Sequence, residues 1–260
     1  MRLECHNLNK IFWDGQKETR VISDISFEAR EGEFLCILGP SGCGKSTLLR
    51  MIAGLLTPSS GEVIYSGERN SGPLNSMVFQ EYGVFPWMNV IDNVAFGLEM
   101  RGVPKDERYH QSIAYLKKVG LSKYAYRNPH ELSVGMRQRI ALARAFVNHP
   151  SILLMDEPFG SLDAQTRLIL QDELLKIWKE QQKTVVFVTH DIDEAILLGD
   201  RVLVMTSVPG RIKEEMTVGI PRPRNLQMES SKEFIELRMK IWNCIRSEVE
   251  KAMSHDHDDF

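Results

Sequence analysis

The chain is poor in cysteine and has no long apolar run. Its 260 residues include four cysteines, which are scattered and have no CxxC or HxxxH partners. A disulfide framework and a zinc site are therefore disfavoured, and a reducing compartment is favoured. No apolar stretch approaches the roughly 18 residues of a membrane span. The N-terminus lacks a long apolar core followed by a small-residue cleavage site, so we expect no signal peptide.

The chain also lacks an excess of charge of either sign. The formal net charge is -3, with 26% charged and 43% hydrophobic residues, as in an ordinary globular protein. A balance of this kind gives no overall attraction to nucleic acid or anionic membranes. We therefore expect no nucleic-acid partner, and any binding of phosphate must be local.

Buried strands alternate with helices along most of the chain. The strand predictions are 33–39, 151–157, 184–190 and 201–205, and the helix predictions include 46–55 and 164–181. Apolar strands that alternate with helices are typical of a parallel sheet covered on both faces. The sequence therefore predicts an α/β fold.

Three regions depart from this alternation. The first 30 or so residues alternate apolar and polar side chains, which predicts antiparallel strands with one wet face. Residues 86–147 show helical periodicity and no strong strand pattern, so we expect a helical insertion. Apolar residues at helical spacing predict a C-terminal helix over 232–250, and the last six residues, HDHDDF, are expected to fray.

The segment GPSGCGKST, residues 39–47, follows a predicted strand and precedes a predicted helix. Its glycines allow the backbone to wrap around phosphate oxygens, and the helix N-terminus adds its dipole. Lys45 would reach the β- and γ-phosphates, and the Ser46 hydroxyl would enter a Mg²⁺ shell. The alternative is a glycine-rich turn, which this strand–loop–helix context disfavours.

Polar residues end two other predicted strands. Asp156 and Glu157 follow ILLM, at the carboxyl end where open α/β sheets bind ligands. Asp156 would hold Mg²⁺ and Glu157 would polarise the attacking water. His190 ends TVVFVT and Gln80 follows MVF, and both are candidates for the same phosphate and metal site. An acidic turn and a structural histidine are the alternatives.

The stretch LSVGMRQR, residues 132–139, begins a predicted helix with a hydroxyl, a glycine and two arginines. The N-terminal end of a helix carries partial positive charge and disfavours cations. Arg137 and Arg139 in the first turns therefore suggest that an anion meets this helix.

Together these motifs resemble the ATPase subunits of ABC transporters over roughly residues 3–225. The resemblance is carried by GPSGCGKST, Gln80, LSVGM, ILLMDE, SLD at 161–163 and His190, in that order. It implies a P-loop NTPase (RecA-like) parallel sheet core with an N-terminal antiparallel β-subdomain and an inserted α-helical subdomain. The implied domains are an ATPase domain at 1–225, with core 1–85 and 148–225 and helical subdomain 86–147, and a C-terminal helix and frayed tail at 226–260.

The resemblance also implies a head-to-tail homodimer with ATP between the P-loop of one copy and the LSVGM helix of the other. The implied catalytic residues are Glu157, His190 and Lys45, and the implied metal contacts are Ser46, Gln80 and Asp156. The residues implied to bind ATP are Phe12 (on adenine), Gly39, Pro40, Ser41, Gly42, Cys43 (a filler, not a nucleophile), Gly44, Lys45, Ser46, Thr47 and Gln80, with Ser133, Gly135 and Asp163 reaching the partner's nucleotide site.

One position departs from the family pattern. The usual signature is LSGGQ or LSGGM, and here Val134 replaces the first glycine. A β-branched residue disfavours positive φ and fills space near a phosphate. We therefore expect the dimer to form with weaker ATP-driven closure.

Two further stretches, FQEYGVFPWMNVIDNVAFGLEMRG and VPGRIKEEMTVGIPRPRN, resemble the nitrate, sulfonate and taurine import branch. This similarity implies an importer subunit at the cytoplasmic face of the cell membrane, bound to integral membrane permease subunits and serving a system with a solute-binding protein. Residues 81–100 would receive the permease, and a plain surface patch is the alternative. We expect no ligand-sensing domain in the C-terminal segment.

Other functions stay open at this point. A soluble ABC ATPase acting on DNA is disfavoured, because only about 85 residues separate the P-loop from the signature and they lack the sustained heptads of a long coiled coil. One acting on ribosomes is disfavoured because such proteins usually hold two ATPase units and this chain holds one. A nucleotide kinase would not need the signature. A regulator that binds ATP and dimerises without turnover remains an alternative because of Val134.

Overall fold

A computed structural model describes residues 1–68, 72–81 and 83–258, without the side chains of residue 226 and residues 252–258. The chain forms two compact units. The first joins Met1–Glu68 to Thr184–Phe260, and the second is Arg69–Lys183.

Within the described residues the elements follow one another in a fixed order. The strands are β1 (Arg2–Trp13), β2 (Glu18–Ala29), β3 (Phe34–Leu38), β4 (Ser60–Ser66), β5 (Asn75–Val78), β6 (Ile152–Asp156), β7 (Thr184–Thr189), β8 (Arg201–Met205) and β9 (Ile212–Thr217). The α-helices are α1 (Lys45–Ile52), α2 (Val90–Met100), α3 (Lys105–Lys118), α4 (Val134–Val147), α5 (Ala164–Gln181), α6 (Ile192–Leu198) and α7 (Lys232–Asp258). Short 3₁₀ turns lie at Ser122–Tyr124, Pro129–Glu131 and Leu226–Ser230.

The first unit contains two sheets. One is antiparallel, with the order β2-β1-β4, which confirms the prediction of antiparallel strands at the start of the chain. In the other, β3 pairs in parallel with β7 and β8, and β9 adds an antiparallel edge. Every residue of β3, β7 and β8 is buried, as continuous apolar runs require in a sheet covered on both faces.

The second unit contains the parallel pair β5–β6 and helices α2 to α5. Helices α2, α3 and α4 fall inside residues 86–147, where the sequence predicted helices. Residues of α2 and α4 supply much of this unit's core, including Val90, Val94, Ile140 and Phe146, each with no exposed surface. The predicted domain boundaries themselves remain a prediction.

Helix α7 is longer than the sequence predicted, since its backbone continues from Lys232 to Asp258. Phe234, Ile241 and Ile245 are buried, as their helical spacing predicted. The predicted fraying of the last six residues concerns side chains and a terminus that lie outside the described residues. Among the helices of the described chain, none has both the length and the apolar character that a membrane crossing needs.

A buried carboxylate of α7 binds the helix to β9 and to the loop before it, within the first unit. Glu248 is 3% exposed, and it accepts hydrogen bonds from Lys213 Nζ at 2.7 Å and from the N–H and hydroxyl of Ser207 at 3.2 Å. Burial acts to raise the pKa of Glu248, but these hydrogen bonds outweigh it and lower the pKa to about 2. The ionised form is therefore the one that holds the helix.

This pKa predicts an acid-dependent contribution to stability. Because the folded-state pKa is lowered from 4.5 to about 2, the stabilisation is complete above the ordinary pKa and is lost as the pH falls through that window. We expect Glu248→Gln to lower the free energy of unfolding at pH 7 by about 2 kcal/mol, measured by urea denaturation. The difference from the native chain should shrink as the pH falls from 4.5 towards 2. A difference between the two proteins that is as large near pH 2 as at pH 7 would contradict this account. Glu250→Gln, on the exposed side of α7, is the control.

Candidate nucleotide-binding site

The loop between β3 and α1 has the backbone that a phosphate cradle needs. Gly42 and Gly44 have φ of +76° and +99°, a region that L side chains rarely adopt. A Cβ on Gly44 would lie 2.7 Å from Ile22 Cδ1, and one on Gly39 would lie 2.8 Å from Cys43 Sγ. A side chain would therefore be strained at Gly42 and Gly44 by backbone conformation, and crowded by neighbouring side chains at Gly39 and Gly44.

Lys45 opens α1 and its ammonium lies in the loop. The residue is 4% exposed, and Nζ donates to the carbonyl oxygens of Gly39 and Pro40, both at 2.9 Å. The first turn of α1 has no acidic residue, so no carboxylate of its own offsets the positive end of the helix dipole. Ser46 and Thr47 follow in the same turn and are half-buried. The loop is a cationic, backbone-lined anion site, with Ser41 and Gly42 exposed and Cys43 buried.

His190 leaves the same sheet edge as this loop. In the parallel pairing of β3 with β7, Leu38 lies opposite Thr189, so the next residues, Gly39 and His190, emerge beside each other. His190 is exposed. The first unit therefore brings together the phosphate loop and the predicted histidine, which is the geometry expected at the carboxyl ends of parallel strands.

The predicted adenine contact lies on the antiparallel sheet of the first unit. Phe12 is in β1 opposite Thr19, and 41% of its surface is exposed. Lys10 Nζ lies 5.1 Å from the ring centroid. Trp13 is 65% exposed. The exposed ring of Phe12, with the Lys10 cation beside it, is available to stack on a ligand ring.

In the second unit, Gln80 and the acidic pair follow neighbouring strands. Val78 of β5 lies opposite Met155 of β6, so Gln80 and Glu157 are each two residues beyond that register pair. Asp156 is 2% exposed and Gln80 is exposed. The sequence prediction that these side chains share one edge is consistent with this register.

Glu157 has a strained backbone. Its φ is +41°, in the left-handed region that costs a non-glycine residue about 1 kcal/mol or more. The residue is half-buried, and its carbonyl accepts the Gly160 N–H at 3.1 Å, which closes a tight turn. Strain of this kind persists where the surrounding structure fixes a side chain's direction, and here that side chain is the predicted general base.

The predicted metal contacts have suitable chemistry for Mg²⁺. Ser46, Gln80 and Asp156 offer hydroxyl, amide and carboxylate oxygens, which magnesium prefers. Among the described residues, no group of three or more His, Cys, Asp or Glu side chains is placed to hold a metal ion. Mg²⁺ usually needs only one or two carboxylates plus substrate phosphates, so the chemistry of each of these residues suits a metal that arrives with a nucleotide.

The signature helix α4 begins as its sequence suggested. Ser133 is its N-cap, and the side-chain oxygen accepts the Met136 N–H at 3.3 Å. Gly135 lies in the first turn, where a Cβ would approach Thr166 Cγ2 to 2.7 Å. Ser133 is exposed, so its hydroxyl is accessible to a ligand.

One of the two reasons for expecting weaker closure at Val134, a positive φ, does not apply. Val134 is the first residue of α4, and its φ is not positive. Its side chain is 40% exposed, so valine fits this position without distortion. Any weakening of dimer closure would have to come from the bulk of the side chain, and that part remains a prediction.

Arg137 and Arg139, the two arginines nearest the start of α4, have local partners. Arg137 Nε donates to the Leu132 carbonyl at 3.2 Å, and Arg139 pairs with Glu173 at 3.0 Å. These contacts remove the need for an external anion to explain the arginines. The helix N-terminus itself, with Ser133 and Gly135, remains the part that suits an anion.

Asp163 is the N-cap of α5. Its carboxylate accepts the Thr166 N–H at 3.0 Å, and this backbone hydrogen bond lowers the pKa of Asp163. Asp163 is exposed, so the ionised carboxylate caps its own helix and still faces outward.

Sequence reasoning passed over two sets of residues near His190. Thr189 and Glu194, on either side of it, bond to each other, and the only signal was their spacing of five. Arg222 and Arg224, in the segment PRPR, bond to carbonyls at the end of α6. That segment was noted for its resemblance to one branch and was given no structural role.

Comparison with known proteins agrees with these features. A family model described as "ABC transporter" matches residues 22–160. An uncharacterized ABC transporter ATP-binding protein of Methanocaldococcus jannaschii is 49% identical over 97% of this chain and 94% of its own length. The nitrate import ATP-binding protein NrtD of Synechocystis is 42% identical, covering 95% of this chain and 96% of its own.

Further similarities extend this picture. The taurine import ATP-binding protein TauB of Roseobacter denitrificans is 43% identical over 92% of this chain and 91% of its own length. Among solved structures, a dimeric ATP-binding cassette in a post-hydrolysis state bound to ADP and Pi aligns with a TM-score of 0.74. It is 31% identical and covers 84% of this chain and all of its own.

The crowding at Gly44 predicts a loss of nucleotide binding. We expect Gly44→Ala to weaken ATP binding by about 100-fold or more, because a Cβ both meets Ile22 and is strained at positive φ. Isothermal titration calorimetry with ATP measures the affinity. Gly54→Ala is the control, since Gly54 also has positive φ but nothing within 4 Å of an added Cβ. Equal affinities for the two variants would contradict a specific role of the loop.

Proposed function

This chain belongs to the ABC transporter family of ATP-binding proteins, and from that premise we propose that it powers an importer for a small solute of the nitrate, sulfonate or taurine type. The chain is an ABC ATPase. The observation that supports the ATPase part of the proposal is the emergence of the phosphate loop and His190 at one edge of the parallel sheet, through the Leu38–Thr189 register. That arrangement places an anion-binding loop beside an imidazole that can contact its ligand.

The proposed roles follow from the chemistry of each side chain. Lys45 would exchange its two loop carbonyls for the β- and γ-phosphate oxygens of ATP, since a charged acceptor binds an ammonium more strongly than a carbonyl does. Backbone N–H groups of residues 41–47 would bind the remaining phosphate oxygens. His190 would donate to the γ-phosphate, and Phe12 would stack on adenine.

Glu157 is proposed as the general base. Its carboxylate would accept a proton from the attacking water and orient that water towards phosphorus. The strained backbone at Glu157 restricts where the carboxylate can point. Gln80, which follows the neighbouring strand, would hold the water or the metal on the other side.

Magnesium is proposed to accompany ATP, with Ser46, Asp156 and Gln80 as its protein contacts. When bound, it would neutralise charge that builds on the phosphate oxygens. Within this chain, the contribution of these residues is to present oxygen donors.

We propose that the working unit is a head-to-tail homodimer. Ser133 and Gly135 lie at the exposed N-terminus of α4, and a helix N-terminus of this kind suits an anion that a second copy delivers. Asp163 would contact the partner's phosphate loop. The solved cassette that this chain resembles is dimeric and bound to ADP and Pi, which supports the proposal.

The proposed contact with a membrane permease is an aromatic loop in the second unit. Trp87 is 75% exposed, and its ring lies 5.4 Å from that of Phe85, which in turn lies 4.7 Å from Phe96. Asn93 holds this loop in place, because its side chain bonds to both backbone groups of Phe85 and to the Met88 carbonyl. An exposed tryptophan that packs on half-buried aromatic rings and lies on a fixed loop suits a docking site. Tyr82, in the same predicted groove, lies outside the described residues.

Permease binding would place the protein at the cytoplasmic face of the membrane, as a peripheral subunit. The solute would be recognised by the permease and by a solute-binding protein, because this chain supplies only the ATPase. The choice among nitrate, sulfonates and taurine rests on the named relatives.

Glu157→Gln tests the enzymatic role. We expect the variant to bind ATP with native affinity and to lose about 100-fold or more of its turnover, because the amide cannot accept the proton. Phosphate release gives the rate and calorimetry gives the affinity. Glu107→Gln, on the surface of α3, should keep both. Full turnover in Glu157→Gln would overturn the base assignment, and no turnover in the native chain would favour a binding regulator.

Trp87→Ala tests the docking site. We expect it to reduce recovery of an integral membrane permease with the tagged protein from solubilised native membranes, since the change removes the most exposed ring of the cluster. ATP binding should be unchanged. Tyr126→Ala is the control, because Tyr126 is equally exposed, at 74%, in the same unit. Mass spectrometry of the recovered proteins would also name the solute system. Equal recovery with both variants would reject this surface.

A further inference from the structure

His190 lies on a two-residue connection between two rigid elements. The strand β7 ends at Thr189 and the helix α6 begins at Ile192. The position of the imidazole therefore depends on how firmly Thr189 and Asp191 are held. Both residues have specific hydrogen bonds within the first unit.

The side nearest His190 is held by a buried clasp. Thr189 is 2% exposed and Glu194 is 6% exposed, and the Thr189 hydroxyl donates to the Glu194 carboxylate. The same hydroxyl oxygen accepts the Asp191 N–H at 3.0 Å. The Asp191 carboxylate then accepts the N–H groups of Asp193 and Glu194, at 2.9 and 3.1 Å, and caps α6. One hydroxyl thus fixes the residues on both sides of His190.

The far end of α6 is held by the arginines of PRPR. Arg224 is 6% exposed, and its Nη1 donates to the carbonyls of Ile196, at 3.0 Å, and Gly199. Its Nε donates to the Ile220 carbonyl at 2.9 Å. Arg222 donates to the Leu198 carbonyl at 2.5 Å and to Asp200 at 2.9 Å. Cations at a helix C-terminus satisfy its last carbonyls and complement its dipole.

A helix of seven residues would be marginal without these contacts. Burying the Arg224 guanidinium is unfavourable unless its donors are satisfied, and burial lowers the pKa of Arg224 to about 10. At neutral pH it stays charged and bonds to several carbonyls. These hydrogen bonds of the buried Arg224 hold the end of α6 in place.

We propose that α6 is a rigid mount for His190, and that Thr189 and Arg224 are positioning residues for ATP hydrolysis. The hydrogen bonds of Thr189 fix the chain at the end of β7. The hydrogen bonds of Arg224 fix the C-terminal end of α6. His190 between them is held towards the phosphate loop. The proposal rests on the proposed contact of His190 with the γ-phosphate, and it gives the PRPR segment a role at the catalytic edge.

The test is a double-mutant cycle on the full-length protein. Thr189→Val removes the hydroxyl and keeps the shape of the side chain, and we expect kcat to fall about 10- to 100-fold with little change in KM for ATP. Thr189→Ser keeps the hydroxyl and should retain most of the activity. In a His190→Ala background, adding Thr189→Val should cause no further loss, because the threonine acts through the histidine.

Thr184→Val is the matched control for the fold. Thr184 begins the same strand, is 2% exposed, and its hydroxyl bonds to the Met1 carbonyl and the Gly32 N–H. This variant should lower the melting temperature about as much as Thr189→Val and leave kcat near the native value. Arg224→Lys, which keeps the charge and loses the fork of donors, should lower kcat in the native background only.

The possible results separate the two levels of the account. Native turnover in His190→Ala would overturn the phosphate contact proposed above. A dead His190→Ala with full kcat in Thr189→Val would overturn the mount alone. A loss in Thr189→Val that multiplies in the His190→Ala background would show a general structural effect, which also overturns the mount.

Discussion

The structure depends first on a tight loop between β3 and α1, whose glycines keep backbone groups open to an anion. Lys45 places a charged group inside the loop, where it bonds to Gly39 and Pro40 carbonyls at 2.9 Å. A buried ammonium needs such acceptors, and Gly44 can supply the turn because it has no Cβ, which would be strained at φ +99° and would meet Ile22. The loop is therefore built around backbone groups, and its affinity for triphosphate follows from the Lys45 charge and the dipole of α1.

Around this loop, strand pairing determines which polar residues follow neighbouring strands at one sheet edge. The pairing of β3 with β7 places His190 beside Gly39. The short helix that follows His190 is fixed at one end by Thr189 and Glu194 and at the other by Arg224. In the second unit the pairing of β5 with β6 relates Gln80 to Glu157 in the same manner. Register and helix caps thus set the positions of polar groups whose chemistry needs ångström-level placement.

Much of this was available from the sequence, for clear physical reasons. Continuous apolar runs predicted β3, β7 and β8, and helical periodicity predicted α5 with its bounds at Ala164 and Gln181. Strand β9 was not predicted, because an edge strand such as IKEEMT is rich in charge and half exposed. The concern that Val134 would need a positive φ came from the glycine at this position in the family motif. It does not apply, because Val134 is the first residue of α4 and has no positive φ. The caps by Arg222 and Arg224 join residues distant in sequence, which no local pattern reveals, and the Thr189–Glu194 clasp spans only five residues but has no recognisable motif.

The central claim is that one copy of this chain holds an incomplete site, finished by Ser133 of a second copy. Light scattering on the hydrolysis-deficient Glu157→Gln protein tests it most directly. The account predicts the mass of a dimer with Mg·ATP and of a monomer without it. Adding Ser133→Asp keeps the N-cap of α4 but places a negative charge against the phosphate, so the dimer should be lost. A monomer at saturating Mg·ATP, or a dimer indifferent to Ser133→Asp, would contradict the account.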